Sequence, residues 1–191
     1  MNWIARKELE GRYAALELLG KNTRYAFTEP EFERYDALLS GYSTEGELLT
    51  TGVEEYKTYN DPQHPRWSTG TTTKIYYDFH LDYDKCEAVY YEGQSQGGTS
   101  LITSYFMDYI ITWDLNKTDW SGNTSMLPVN KYGWNHGAEK EEKLQSCLPL
   151  DVDTPGGPVR KIPMPKPEEF WPHIAELIKK DHPDYTPSWE K

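Results

Sequence analysis

Apolar residues recur along this chain with two periods, one helical and one of strand type, and the change between them marks out the elements. Near the start, Ala5, Leu9, Tyr13 and Leu16 fall on one helical stripe that ends at Gly20, which predicts a helix over residues 3–19. Gly11 weakens that helix by about 1 kcal/mol relative to Ala, and a strand over residues 11–19 is the competing reading. Thr28 with Glu31 then makes a capping-box pattern and Pro30 suits a first turn. Phe32, Tyr35, Leu38 and Leu39 form an apolar stripe before Gly41, so a short helix is expected there.

From Leu48 onward the period falls to two. Residues 49–59 read as a strand, and the two prolines of residues 60–65 break it. In residues 71–81, Thr73, Ile75, Tyr77, Phe79 and Leu81 point one way, while Lys74, Tyr76, Asp78 and His80 point the other. Residues 82–85 have turn composition, and residues 86–92 read as the return strand of a hairpin. A Gly-rich loop at 93–99 leads to the longest apolar alternation, residues 101–115, expected as one strand lying centrally or lining a pocket. Residues 126–134 can add a last strand despite Pro128, and residues 138–147 are charged and helix-prone. Residues 149–167 are rich in proline and read as an extended arm. Pro167, Glu168 and Glu169 then open a C-terminal helix, whose stripe is Phe170, Trp171, Ile174, Leu177 and Ile178.

Short connections between successive strands favour an antiparallel meander over βαβ crossovers. The expected fold is therefore α+β: about five antiparallel strands curved into a half-barrel or small barrel, with helices near both chain ends. In shape this resembles a lipocalin-like or cystatin-like curved sheet. A length of 191 residues fits a single domain with a core of its own.

Composition narrows the function classes. Aromatic residues make up 14% of the chain, including 15 Tyr and 7 Trp, so the core is expected to be aromatic and to need partners for phenol and indole groups. Net charge is −11. From Pro158 onward acidic and basic residues balance, so the excess lies ahead of it. That disfavours nucleic acid, whose phosphates need clustered Lys and Arg, and allows a basic protein partner. Cys86 and Cys147 do not form a CxxC pair and read as buried thiols. The sequence offers neither an apolar signal region nor a run long enough to span a membrane, and a cytoplasmic location is expected.

The best concentration of chemistry lies on residues 71–81. Asp78 and His80, two positions apart on one strand face with Cα atoms about 6–7 Å apart, place a carboxylate near an imidazole that it can orient and whose pKa it can raise. Tyr76 continues that face, and Asp108 comes alongside if the sheet pairs suitably. These four are the candidate catalytic residues, with Tyr105, Trp113, Trp134 and His136 as candidate ligand-binding residues. The leading reading is a small-molecule-binding protein with an aromatic-lined pocket for an apolar or aromatic ligand. It extends to cofactor-independent acid/base turnover of the isomerase, cyclase or dehydratase type.

The alternative is an acidic interaction protein of inhibitor or immunity type that caps a basic partner, with Trp67, Trp120 and Trp134 as anchors. A remote third reading takes His80-x-Asp82 with His136 as metal ligands, a spacing that resembles the Fe(II)/2-oxoglutarate oxygenases. Asp82 is equally explained as a turn residue, and Arg160 is too distant in sequence for the co-substrate arginine, so neither metal nor cofactor is expected. An enclosed concave face carrying His80 favours the pocket. A filled or flat face favours the interaction protein.

Overall fold

A computed structural model of the chain describes residues 1–19, 23–27, 35–62, 66–70, 78–130 and 139–190. Helix α1 covers Trp3–Leu19, so the helical reading of this stretch holds over the strand. Its buried face differs from the expected stripe. Ala14 and Ala15 are buried while Leu16 is exposed. Gly11 is what lets the helix lie close to the sheet, since a Cβ there would sit 2.9 Å from Tyr56 Cβ.

Four strands follow: β1 (Thr23–Phe27), β2 (Ala37–Tyr42), β3 (Leu48–Thr58) and β4 (Asp78–Asp82). The short helix expected before Gly41 is corrected at its C-terminal half. Leu38 and Leu39 belong to β2, where pairing to β1 and β3 overrides the apparent helical stripe. Residues 28–34 and 71–77 lie outside the described residues.

Residues 86–92 do not form a return strand. Helix α2 spans Tyr83–Ser95, and its buried residues Cys86, Val89 and Gly93 recur at i, i+3 and i+7. The expected long strand over 101–115 is two, β5 (Thr99–Tyr105) and β6 (Tyr109–Asp114), paired antiparallel across a tight turn. Phe106 N closes that turn by donating to Tyr109 O at 2.9 Å. Strand β7 covers Thr124–Asn130. Strand β8 covers Lys140–Pro149, where a helix was expected. There the cross-strand partners on β4 and β7 outweigh the helix propensity of Lys and Glu. The proline-rich arm contributes β9 (Arg160–Pro163), and α3 covers Pro167–Asp181 with its expected proline start and basic end.

The strands form two sheets instead of one meander. A six-stranded sheet runs β1-β2-β3-β5-β6-β9, and it is not closed; a three-stranded sheet runs β4-β8-β7. Strands β3 and β5 are parallel. A parallel pair needs a crossover, and β4 with α2 supplies it.

Both faces of the six-stranded sheet are filled. Alternation along β3 sends Tyr56 to one side and Val53 to the other. Tyr56, Tyr105 and Ile110 pack with Leu9, Phe170, Trp171, Ile174 and Ile178 of α1 and α3. On the opposite face, Val53, Ile102, Ile111 and Trp113 pack with Phe79, Leu81, Cys86, Val89 and Leu148 of β4, α2 and β8. The chain's last turn is tied back to α1 through Glu10, which is fully buried. Its carboxyl accepts from Tyr185 OH at 2.7 Å, Ser188 N at 2.7 Å, Ser188 Oγ at 2.6 Å and Asn60 Nδ2 at 2.8 Å. Among the described residues no helix is long and apolar enough to cross a membrane.

Candidate functional site

Strand β4 carries two of the residues singled out by sequence. Phe79 and Leu81 enter the core, so Asp78 and His80 share the other face, as the period of two requires. His80 is nonetheless buried. Burial pushes its imidazole pKa down, the Arg66 guanidinium pushes the same way, and Asp78 pulls up against both. The result is an imidazole held neutral, opposite to the raised basicity expected from an Asp–His pair. Arg66 Nη1 also donates to His80 O at 2.6 Å.

The other described candidates, Asp108, Tyr105 and Trp113, do not form one group. Asp108 sits in the β5–β6 turn, and its carboxyl accepts from Thr69 N at 2.9 and 3.1 Å and from Thr69 Oγ1. It anchors that turn. Tyr105 and Trp113 lie on opposite faces of the six-stranded sheet, so one pocket cannot be lined by both. Trp113 stacks on Phe79 with ring centroids 5.3 Å apart, and its Nε1 donates to Pro149 O at 2.6 Å. Trp120, read as an exposed anchor, is buried between Tyr83 and Tyr90. Asp82 accepts from the Gln145 side-chain amide. Tyr76, Trp134 and His136 lie outside the described residues.

The structure assembles a different polar group around Tyr105. Glu54 of β3 is 1% exposed. Thr103 Oγ1 and Tyr56 OH (3.1 Å) donate to its carboxyl. Thr103 Oγ1 also lies 2.8 Å from Thr112 Oγ1, and Thr112 faces Arg160 across the β6–β9 pair. Burial pushes the Glu54 pKa up, against the hydrogen bonds from Thr103 and Tyr56 and the field of Arg160. Burial and then Glu54 itself push the Tyr56 and Tyr105 phenols up as well. Tyr105 Oη and Trp171 Nε1 have no hydrogen-bond partner among the described residues. Sequence reasoning missed Glu54. Its only signal is that Glu54 and Glu55 are adjacent in a strand, so if both faces are filled, both carboxyls must be buried.

On the opposite face, Glu55 pairs with Lys57 and, at 3.3 Å, with Lys85 of α2. Beside them burial pushes the Cys86 thiol up to about 12. A thiol so raised is no nucleophile at neutral pH.

Among the described residues, an open feature lies in the smaller sheet. Strand β4 pairs with β8 only from Asp78↔Pro149 to Asp82↔Gln145, because the chain turns into α2 at Tyr83. Strand β8 runs on, paired with β7 as far as Asn130↔Lys140. A cleft of about 250 Å³ opens where β4 stops, lined by Asp82, Tyr83, Asp84, Glu142, Lys143 and Leu144. The local field is negative: the hydrogen bond from Lys143 to Glu141 raises the Lys143 pKa first, and Asp82 and Asp84 add to it. Lys143 Nζ lies 3.2 Å from Glu141. Leu144 and its cross-strand partner Met126 are both exposed. Comparison with family models, curated proteins and solved structures finds no match for this chain.

Proposed function

We propose that this is an acidic interaction protein, of the inhibitor or immunity type, that binds a basic protein partner. The observation that carries the reading is the filling of both faces of the six-stranded sheet, which leaves the β4–β8 face to be judged by His80. His80 is buried and its imidazole is held neutral, which lends little support to an acid/base pair of Asp78 and His80. The net charge of −11 favours fast, steered encounter with a cationic surface. It disfavours nucleic acid for the same reason. Two free, buried cysteines fit a reducing, cytoplasmic setting.

A second reading rests on Tyr105 Oη and Trp171 Nε1, two buried donors without described partners beside a buried acid. Native structures rarely leave such groups unmet. A small ligand carrying an acceptor would satisfy them, with Glu54 as the adjacent proton donor.

Native mass spectrometry of the protein isolated from its own source tests both. The interaction reading expects a complex with a basic protein that dissociates as salt rises. Recovery of the chain with a bound molecule of small mass instead supports the second reading and contradicts the first.

A further inference from the structure

We propose that the flank of β8 left open at residues 140–144 receives an extended, basic segment of the partner as an added strand. This inference rests on the interaction reading and names where and how it acts. Cys147 N donates to Asn123 O on the β7 side. Alternation therefore turns the backbone groups of Ser146, Leu144, Glu142 and Lys140 toward the β4 side. Ser146 faces Leu81 on β4. Leu144, Glu142 and Lys140 lie beyond the last paired residue, so their N–H and C=O groups face the cleft, and no strand pairs with them there among the described residues. Unpaired ladder groups of this kind template an incoming strand.

Three of the other outer strand flanks are blunted, that of β1 excepted. Pro128 lies in β7 and Pro163 in β9, and neither can donate to a ladder. Because Cys147 turns toward β7, the directly opposed His80 turns its carbonyl to the outer flank of β4, where Arg66 occupies it. Residues 140–144 contain no proline.

The occupant follows from charge. Asp82, Asp84, Glu141 and Glu142 surround Lys143 at the cleft, and Leu144 with Met126 offers an apolar pair on the ribbon face. A segment alternating cationic and apolar residues meets both. A second copy of this chain, itself at −11, is repelled.

The test uses residue-resolved amide exchange on the full chain at low salt, with a short synthetic peptide of alternating Arg and Val as probe. Slowed exchange is expected at Lys140, Glu142 and Leu144, with Glu141 and Lys143 changed little because their N–H groups already face β7. A peptide of equal charge interrupted by proline should bind at least about tenfold more weakly, and so should the Arg/Val peptide to a Glu142→Lys/Asp84→Lys variant. Equal affinity for the proline peptide, or protection without peptide in a self-associated species, overturns the added strand. Binding with protection elsewhere overturns this seat but leaves the basic-partner reading standing. An Arg/Val peptide that does not bind at all contradicts both.

Discussion

Glu54 lies on the floor beneath α1 and α3, hydrogen-bonded to Thr103 and Tyr56, and its burial favours the protonated form. Asp36 shares this behaviour, its pKa raised to about 7, by burial first and then by Glu55. For an acid whose folded pKa is raised, the folded state holds the proton more tightly than the unfolded chain. Stability is then greatest below the unfolded carboxylate range, near pH ~4, and falls as pH rises through the folded values. Glu54→Gln keeps the acceptor for Thr103 and supplies an amide for Tyr56 without an ionisable group. The variant should match the parent near pH ~4 and gain on the order of 1 kcal/mol by pH ~8, a few degrees in Tm for a chain of this length. Thermal melts across that range check it, and a variant less stable than the parent at the alkaline end contradicts the account. None of this was legible from the strand pattern alone. The alternation of residues 49–59 is readable, but that both faces of the strand are covered depends on helices placed far away in sequence.

At the scale of elements, what the sequence made legible followed from caps and stripes that act locally. Pro167, the two glutamates after it and the closing Lys179 and Lys180 mark α3 without reference to the rest of the chain. The misread elements are those that tertiary partners decide. Residues 140–147 look helical because Lys and Glu favour helices, yet the same charges guard a strand edge against self-association. Residues 86–92 look like half a hairpin because their aromatic content fits a strand, but a parallel crossover is usually carried by a helix, and α2 takes that part here. The loop after α2 is likewise a close contact and no open linker. A Cβ on Gly98 would lie 1.9 Å from Thr51 O, a backbone atom that cannot rotate away. Gly98→Ala should therefore cost about 3 kcal/mol or more by pushing β5 from β3. Gly97, at φ +66 with open space around it, carries backbone strain alone, and its Ala variant should cost about 1–2 kcal/mol. Denaturant titration of the two variants separates them, and equal costs would contradict the close approach.

The whole molecule is acidic, and among the described residues the aromatic side chains, read from sequence as a pocket lining, are largely spent on packing. Phe79, Phe106, Tyr59 and Trp113 contact one another between the two sheets, while Tyr56, Tyr105, Trp171 and Phe170 form a chain of ring contacts on the other face. Of the candidate site, the strand placement of Asp78 and His80 was readable. The sinking of His80 into a buried, neutral state was not, because Arg66 and the surfaces that bury it come from elsewhere in the chain. At this scale the proposed function rests on charge and an open edge, and both would act through encounter with another molecule. The direct test of the proposal is the association rate constant with a basic partner protein, measured by stopped-flow from about 20 mM to 500 mM salt, across which the screening length falls severalfold. The account predicts a rate that drops at least about tenfold over that range while dissociation changes far less. A rate independent of salt would contradict it.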